Sequence, residues 1–141
     1  MTAVRFVDTN ILLYAASTDP GEARKARIAR ALLECTDLAL SVQVLQEFFV
    51  QATRPSRSDR LTHAQAAGLV EAFLRFPVQE TTPEVMRAAI ATCERHRLSY
   101  WDAAVLEAAR ALGCDLLLSE DLAHGRSYDG VRVENPFRTR P

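Results

Sequence analysis

Short apolar segments alternate with longer segments of helical periodicity along the chain, and no other sequence feature constrains the fold as strongly. The strand candidates span residues 4–8, 38–40, 78–80, 115–118 and 131–133. Parallel strands need long crossover connections, which helices supply, so this order predicts a parallel sheet with right-handed crossovers. We therefore expect an α/β fold with a central sheet of four or five strands and helices on both faces.

Start signals mark the predicted helices. Thr62 and Gln65 form a capping-box pattern, and Ser41 is a cap candidate directly after the second strand. Asp19 and Glu22, with a proline between them, form another capping-box pattern that predicts a helix running to about residue 35. These signals place helices between the successive strands.

Helical periodicity predicts which side chains face the core. In the last long helix, Trp101 shares a face with Val105 and Leu112, which predicts that Trp101 anchors the core. In the helix that follows the second strand, the apolar residues fall on one side and Glu47 lies nearly opposite them. Periodicity alone therefore predicts that Glu47 faces solvent.

The composition is that of a globular domain. Of 141 residues, 48% are hydrophobic and 25% are charged, which predicts a single domain over residues 1–141. The net charge of −1 gives no overall attraction to nucleic acid or to an anionic membrane. We identify no signal peptide and no apolar run of membrane length, so we expect a cytoplasmic protein without membrane contact. The three widely spaced cysteines favour neither disulfides nor a thiolate zinc site.

Four acidic residues occupy positions from which one site could collect them. Asp8 and Asp121 each follow an apolar strand, and parallel strands end at the same edge of a sheet. Asp102 lies in the first turn of the helix that leads into the strand before Asp121, and a helix entered from the same edge could bring Glu47 alongside. Taken singly, each acid has a simpler explanation. Asp8 or Asn10 can cap a helix, Asp102 fits a capping box, and Asp121 can start a turn.

Almost all basic residues of the chain are arginines. Lys25 is the only lysine among 17 basic residues, a bias that a GC-rich genome also produces. A polar loop after the third helix carries Arg54, Arg57 and Arg60, whose guanidinium groups could meet phosphates. The same loop could equally be a surface connection without a ligand.

The sequence resembles PIN-domain proteins, and among them the VapC-type toxin ribonucleases. The resemblance covers nearly the whole chain. It rests on Val7-Asp8-Thr9-Asn10, on Ser41 followed by Glu47, on Tyr100-Trp101-Asp102-Ala103-Ala104, on Leu117-Leu118-Ser119-Glu120-Asp121-Leu122, and on the closing run at residues 130–137. It implies a PIN-like three-layer fold with a central parallel sheet.

The resemblance also implies a site and a reaction. The implied catalytic and metal-binding acids are Asp8, Glu47, Asp102 and Asp121, with Asn10 and Ser119 as supporting polar residues. The implied cofactor is Mg²⁺ or Mn²⁺, which hard carboxylate oxygens suit. Asp8 and Asp121 would be the principal ligands, Asp102 would bind directly or through water, and Glu47 would position a second metal or the attacking water. The metal-activated water would hydrolyse RNA and leave a 5′-phosphate. Glu120 is an additional acid without an assigned role.

Partners follow from the same resemblance. A VapC-type toxin pairs with a small antitoxin protein, tends to form a homodimer, and cuts a loop of transfer or ribosomal RNA. An acidic pocket repels RNA, so arginines near its rim must supply attraction. Arg54, Arg57 and Arg60 are the first candidates for this role, and Arg126 is the second.

The sequence leaves two functions of other classes open. A phosphotransfer domain also places an Asp after a strand, but it uses a lysine near the phosphoryl group. Lys25 does not follow a late strand, and Asn10 stands where an Asp-x-Asp pair would have its second acid. A non-catalytic RNA- or protein-binding domain, whose acids are only helix caps, would bind no metal and would tolerate the loss of any one acid.

Overall fold

The computed structural model describes residues 5–139, and the first predicted strand begins at Val4, outside this range. The described strands are Arg5–Val7 (β1), Leu38–Ser41 (β2), Val78–Gln79 (β3), Leu116–Leu118 (β4), Ser127–Tyr128 (β5) and Val131–Glu134 (β6). The helices are Thr9–Ala16 (α1), Ala23–Leu33 (α2), Val42–Ala52 (α3), His63–Phe73 (α4), Pro83–His96 (α5) and Tyr100–Ala111 (α6). None of the helices in this range is long and apolar enough to cross a membrane.

The strands form one mixed sheet in the order β3-β2-β1-β4-β6-β5. All neighbouring pairs are parallel except β5 and β6, which are antiparallel. The predicted α/β class is confirmed, but the sheet has one strand more than the four or five expected. Asp129 and Gly130, with φ of 50° and 95°, form a two-residue turn that folds β5 back on β6. The two residues of β5 are too few to show an alternating pattern.

The central strands are buried on both faces. Phe6 and Val7 in β1 and Leu117 and Leu118 in β4 are at most 1% exposed. Consecutive residues of a strand point to opposite faces of the sheet, so helices must cover both faces. The uninterrupted apolar runs in the sequence have this origin.

The helix starts agree with the sequence in part. The Thr62 hydroxyl accepts a hydrogen bond from the Gln65 N–H, and the Gln65 side chain accepts one from the Thr62 N–H, as predicted. Asp19 instead caps a short 3₁₀ turn, Pro20–Glu22, that precedes α2. The Glu22 carboxylate accepts from the Ser17 hydroxyl, so this capping box does not close.

Trp101 does not anchor the core, contrary to the prediction. Its side chain is 62% exposed, at the second position of α6. From Ala103 onward α6 is buried on all sides through Ala109. The apolar stripe therefore does not identify the packed side of this alanine-rich helix, because small residues let its neighbours approach all round.

Candidate active site

The four acids that the sequence singled out lie around one cavity of about 90 Å³. Asp8 directly follows β1, and Asp121 follows β4 after a two-residue interval. Because β1 and β4 are parallel neighbours, both acids lie at the same edge of the sheet. The cavity is lined by Asp8, Thr9, Asn10, Leu13, Glu47, Gln51, Trp101, Asp102, Val105 and Asp121.

Asp8 is held in place by the start of α1 and by the loop after β4. Its Oδ1 accepts a hydrogen bond of 2.8 Å from the Thr9 N–H, and its Oδ2 accepts one of 2.7 Å from the Ser119 hydroxyl. Burial raises the pKa of Asp8 to about 6, the two hydrogen bonds oppose this rise, and the charges of Asp121 and Glu47 add to it. Asp8 therefore caps α1, as its position alone suggested. It also lines the cavity as a carboxylate whose charged form is disfavoured by burial.

Asn10 and Ser119 form a hydrogen-bonded link between α1 and the loop that carries Asp121. The Asn10 amide donates to the Asp121 carboxylate at 3.1 Å, and its carbonyl oxygen accepts from the Glu120 N–H at 3.2 Å. The Ser119 hydroxyl, which donates to Asp8, also accepts from the Asp121 N–H at 3.1 Å. Both predicted supporting residues thus contact the acids, and Ser119 is fully buried.

Glu47 lies partly buried against α1 rather than facing open solvent. Its Oε2 accepts a hydrogen bond of 2.9 Å from the Thr9 hydroxyl, and its Oε1 accepts one of 3.0 Å from the Gln43 amide. The prediction from periodicity fails because the polar side of α3 faces the cavity. Thr9 and Gln43 were not identified from the sequence, although Gln43 stands one helical turn before Glu47, where side chains meet.

Asp102 enters the cavity from the first turn of α6. Its N–H donates to the Ser99 hydroxyl at 3.1 Å, which is the cap that the spacing of the two residues predicted. Burial raises the pKa of Asp102, and the charges of Asp121 and Glu47 act in the same direction. The acids therefore lie close enough to repel one another.

Glu120 is bound by other residues and does not line the cavity. Its carboxylate forms an ion pair with Lys25 and accepts a hydrogen bond of 2.6 Å from the Tyr14 hydroxyl. Although burial would raise the pKa of Glu120, the hydrogen bonds from Lys25 and Tyr14 hold it below its usual value. Since Lys25 is engaged here, it does not occupy the place that a phosphotransfer domain gives to its lysine.

The four arginines predicted to meet RNA lie in different surroundings. Arg57 forms ion pairs with Asp59 at 2.9 Å and with Glu22 at 3.6 Å. Arg126 lies over the Tyr128 ring, 4.9 Å from its centroid. Arg54 lines a groove beside the acidic cavity. Arg60 is exposed in the loop between α3 and α4. We therefore single out Arg54 as the arginine that lies beside the acids.

The donor set fits a hydrated divalent cation. The charged groups that line the cavity are all carboxylates, whose hard oxygen atoms suit Mg²⁺ or Mn²⁺. Within residues 5–139, no three Asp, Glu, His or Cys side chains converge closely enough to enclose an ion. Mg²⁺ commonly keeps several waters and binds through one or two carboxylates. The cavity thus fits a cation that is bound by one or two of the four carboxylates and by water, and not a cation whose ligands all come from the protein.

The chain matches the family model of the PIN domain over residues 5–128. No curated protein matches the sequence. Among solved structures, the fold is similar to Mycobacterium tuberculosis VapC20, described as a sarcin–ricin loop cleaving toxin, at 20% identity and a TM-score of 0.63 over 83% of this chain and 91% of that one.

Two further structures show the same fold. A toxin–antitoxin complex from Klebsiella pneumoniae matches at 21% identity and a TM-score of 0.68, over 94% of this chain and 97% of that one. DNA-bound VapBC from Salmonella typhimurium matches at 18% identity and a TM-score of 0.65, over 96% and 99%. Because the family model covers most of the sequence and these folds agree with it, the chain belongs to the PIN-domain family.

Proposed function

We propose that this protein is a divalent-metal-dependent endoribonuclease and the toxin of a toxin–antitoxin pair. The observation that carries the proposal is the meeting of Asp8, Glu47, Asp102 and Asp121 around one cavity at the carboxyl edge of the sheet. The PIN-domain family consists of nucleases that generally use a divalent metal, and the chain belongs to it. The mutual repulsion of the acids is what a cation would relieve.

In the proposed site, Asp8 and Asp121 would hold the metal, and Asp102 would join them directly or through water. A bound Mg²⁺ or Mn²⁺ would supply a water of lowered pKa and would neutralise charge that develops on the phosphate. The Ser119 hydroxyl orients the Asp8 carboxylate, and the Asn10 amide orients that of Asp121. Glu47 would position a second metal or the attacking water.

Thr9 and Gln43 fix the orientation of Glu47 from both sides, because each donates a hydrogen bond to a different oxygen of its carboxylate. A carboxylate held in this way orients a water without having to give up rotational freedom during the reaction. The reaction is hydrolysis of an RNA phosphodiester bond that leaves a 5′-phosphate. Arg54 supplies attraction for the RNA backbone beside the acids.

The partners in this proposal are an RNA loop, a small antitoxin and a second copy of the chain. One structure of similar fold is described as a sarcin–ricin loop cleaving toxin, which supports a loop of ribosomal or transfer RNA as the substrate. Two others are toxin–antitoxin complexes, which support an antitoxin partner. We place the protein in the cytoplasm, where such an RNA is found.

The test compares the wild-type chain with Asp8→Asn on total cellular RNA in Mg²⁺, in Mn²⁺ and in excess chelator. Asp19→Asn is the matched control, because it makes the same chemical change at another capping residue outside the cavity. We expect cleavage by the wild type and by the control only when metal is present, and none by Asp8→Asn. Cleavage that survives Asp8→Asn in saturating metal would contradict the site.

A second readout covers the case in which the assay lacks the right RNA. A cation bound only by the folded chain raises its melting temperature. No cleavage together with no metal-dependent rise in Tm would favour a non-catalytic binding domain over the nuclease.

A further inference from the structure

Trp101 is an exposed aromatic side chain at the mouth of the acidic cavity. It lines that cavity together with the acids, and it is 62% exposed. It also lines an adjoining groove of about 340 Å³ with Gln43, Val50 and Arg54. Glu47 borders both spaces, so the groove and the cavity adjoin each other.

The position of Trp101 is fixed relative to the acids. Asp102 is the next residue in α6, and the Trp101 carbonyl oxygen accepts a hydrogen bond of 3.5 Å from Gln43, which also donates to Glu47. The Tyr100 ring packs against the indole edge to face, with centroids 5.0 Å apart. Such a contact uses at most one face of the indole ring, so the other face remains available.

Arg54 gives the same groove a positive charge. Its guanidinium forms no ion pair or side-chain hydrogen bond with any residue in the range 5–139, whereas Arg57 nearby has two ion-pair partners. An aromatic face and a free guanidinium together are the chemistry that recognises a nucleotide, by stacking on its base and pairing with its phosphate. The side-chain amides of Gln43, Gln46 and Gln51 also border the groove and can meet the edge of a base.

We propose that this groove binds one unpaired nucleotide beside the scissile phosphate, with its base stacked on Trp101 and a phosphate facing Arg54. The inference rests on the proposed nuclease function and adds to it the residues that would recognise an unpaired nucleotide. A base inside a duplex is stacked on its neighbours and cannot reach Trp101, so the substrate must present an unpaired base at the cleavage site. Trp101 is then a substrate-binding residue that selects single-stranded or loop RNA.

The test uses the fluorescence of Trp101, which is the only tryptophan of the chain. Asp8→Asn is titrated with oligouridylate, with an abasic oligomer of the same length, and with the duplex of oligouridylate and oligoadenylate. Stacking tolerates any base, so oligouridylate should quench the emission. The abasic oligomer keeps the phosphates and should not quench, and the duplex should quench far less. Absence of quenching by oligouridylate, or equal quenching by the abasic oligomer, would overturn the proposal.

Substitutions separate stacking from a general apolar contact. Trp101→Leu keeps an apolar side chain without a π-face and should weaken oligouridylate binding about 5- to 150-fold, whereas Trp101→Phe should retain most of the affinity. Val50→Ala is the control, because Val50 is exposed in the same groove. Oligouridylate binding that is undiminished in Trp101→Leu, or weakened equally in Val50→Ala, would overturn the proposal. The exposed Trp101 ring would then be assigned to a contact with another protein.

The two proposals fail in distinguishable ways. Metal-dependent cleavage by the wild type, with no quenching of Trp101 and an unchanged KM in Trp101→Leu, would remove the stacking site and keep the nuclease. Quenching by oligouridylate with no metal-dependent cleavage of any RNA would keep the nucleotide groove and remove the nuclease. If both proposals hold, Trp101→Leu raises KM for RNA and changes kcat little.

Discussion

Replacing Asp8 with Asn should stabilise the metal-free protein at neutral and alkaline pH. The ordinary pKa of this carboxyl is 3.8, and burial raises it to about 6 in the folded chain. The folded state therefore binds the Asp8 proton more tightly than the unfolded state does. As pH rises from about 4 to about 6, the wild type loses stability, because its folded state must give up a proton that it holds well. Asn carries no such proton and still serves as a helix cap.

The size of the effect follows from the pKa difference. A rise from 3.8 to about 6 corresponds to about 3 kcal/mol, since one pKa unit is about 1.4 kcal/mol. Above pH 6 the free energy of unfolding of Asp8→Asn should exceed that of the wild type by up to this amount. In a domain of this size the gain would raise Tm by about 6–12 °C. Below pH 4 residue 8 is uncharged in the wild type and in Asp8→Asn, so their free energies of unfolding should become equal.

The assay is thermal and urea unfolding in excess chelator between pH 4 and pH 8, followed by the same series in Mg²⁺. Asp19→Asn, which makes the same chemical change outside the cavity, serves again as the control. Saturating Mg²⁺ should stabilise the wild type more than Asp8→Asn and so reduce or reverse the difference. In chelator at pH 8, a lower free energy of unfolding for Asp8→Asn than for the wild type, by an amount that does not change with pH, would refute the reasoning. It would mean that burial does not raise the pKa of this carboxyl.

Four further substitutions test other contacts. Ser119→Ala removes the hydroxyl that donates to Asp8, and it should lower the free energy of unfolding by about 1.5–3 kcal/mol in urea titrations and reduce RNA cleavage. Lys25→Met should cost about 1 kcal/mol or less, because the ion pair with Glu120 is partly exposed, and it should leave cleavage within a few-fold of wild type. Arg54→Ala should lower the slope of log affinity against log salt for RNA by about 1, whereas Arg57→Ala should instead lower Tm through its lost ion pairs. Equal salt slopes for the two arginine variants would contradict the placement of Arg54 beside the substrate.

The central strands of the sheet could be predicted from the sequence. Strands such as β1 and β4 are buried on both faces, and they are visible as uninterrupted apolar runs. Asp8 and Asp121 could be paired from the sequence alone, because strand ends in a parallel sheet share one edge. β5 could not be found, since two residues carry no periodicity.

Helix periodicity failed at two of the residues that border the cavity, one in α3 and one in α6. It assumes that a helix has one apolar side toward the core and one polar side toward water. Glu47 lies on a polar side that faces other polar groups across the cavity. Sheet topology allowed this position, and the family resemblance implied it. Trp101 stands in the first turn of α6, where a side chain on the apolar stripe lies at the cavity and not in the core. Periodicity shows which side of a helix is polar, but it does not show whether that side faces solvent or a cavity.

The pairing of Glu120 with Lys25 and Tyr14 has a consequence for the choice of ligands in the neighbouring cavity. Two adjacent acids in one loop would ordinarily compete for the same cation, and a misplaced carboxylate can capture it in an unproductive position. Here one acid is neutralised by the only lysine of the chain, while Asp121 keeps its place through Asn10. Lys25 and Tyr14 thus hold Glu120 away from the cavity, and Asp121 is the acid of this loop that lines it.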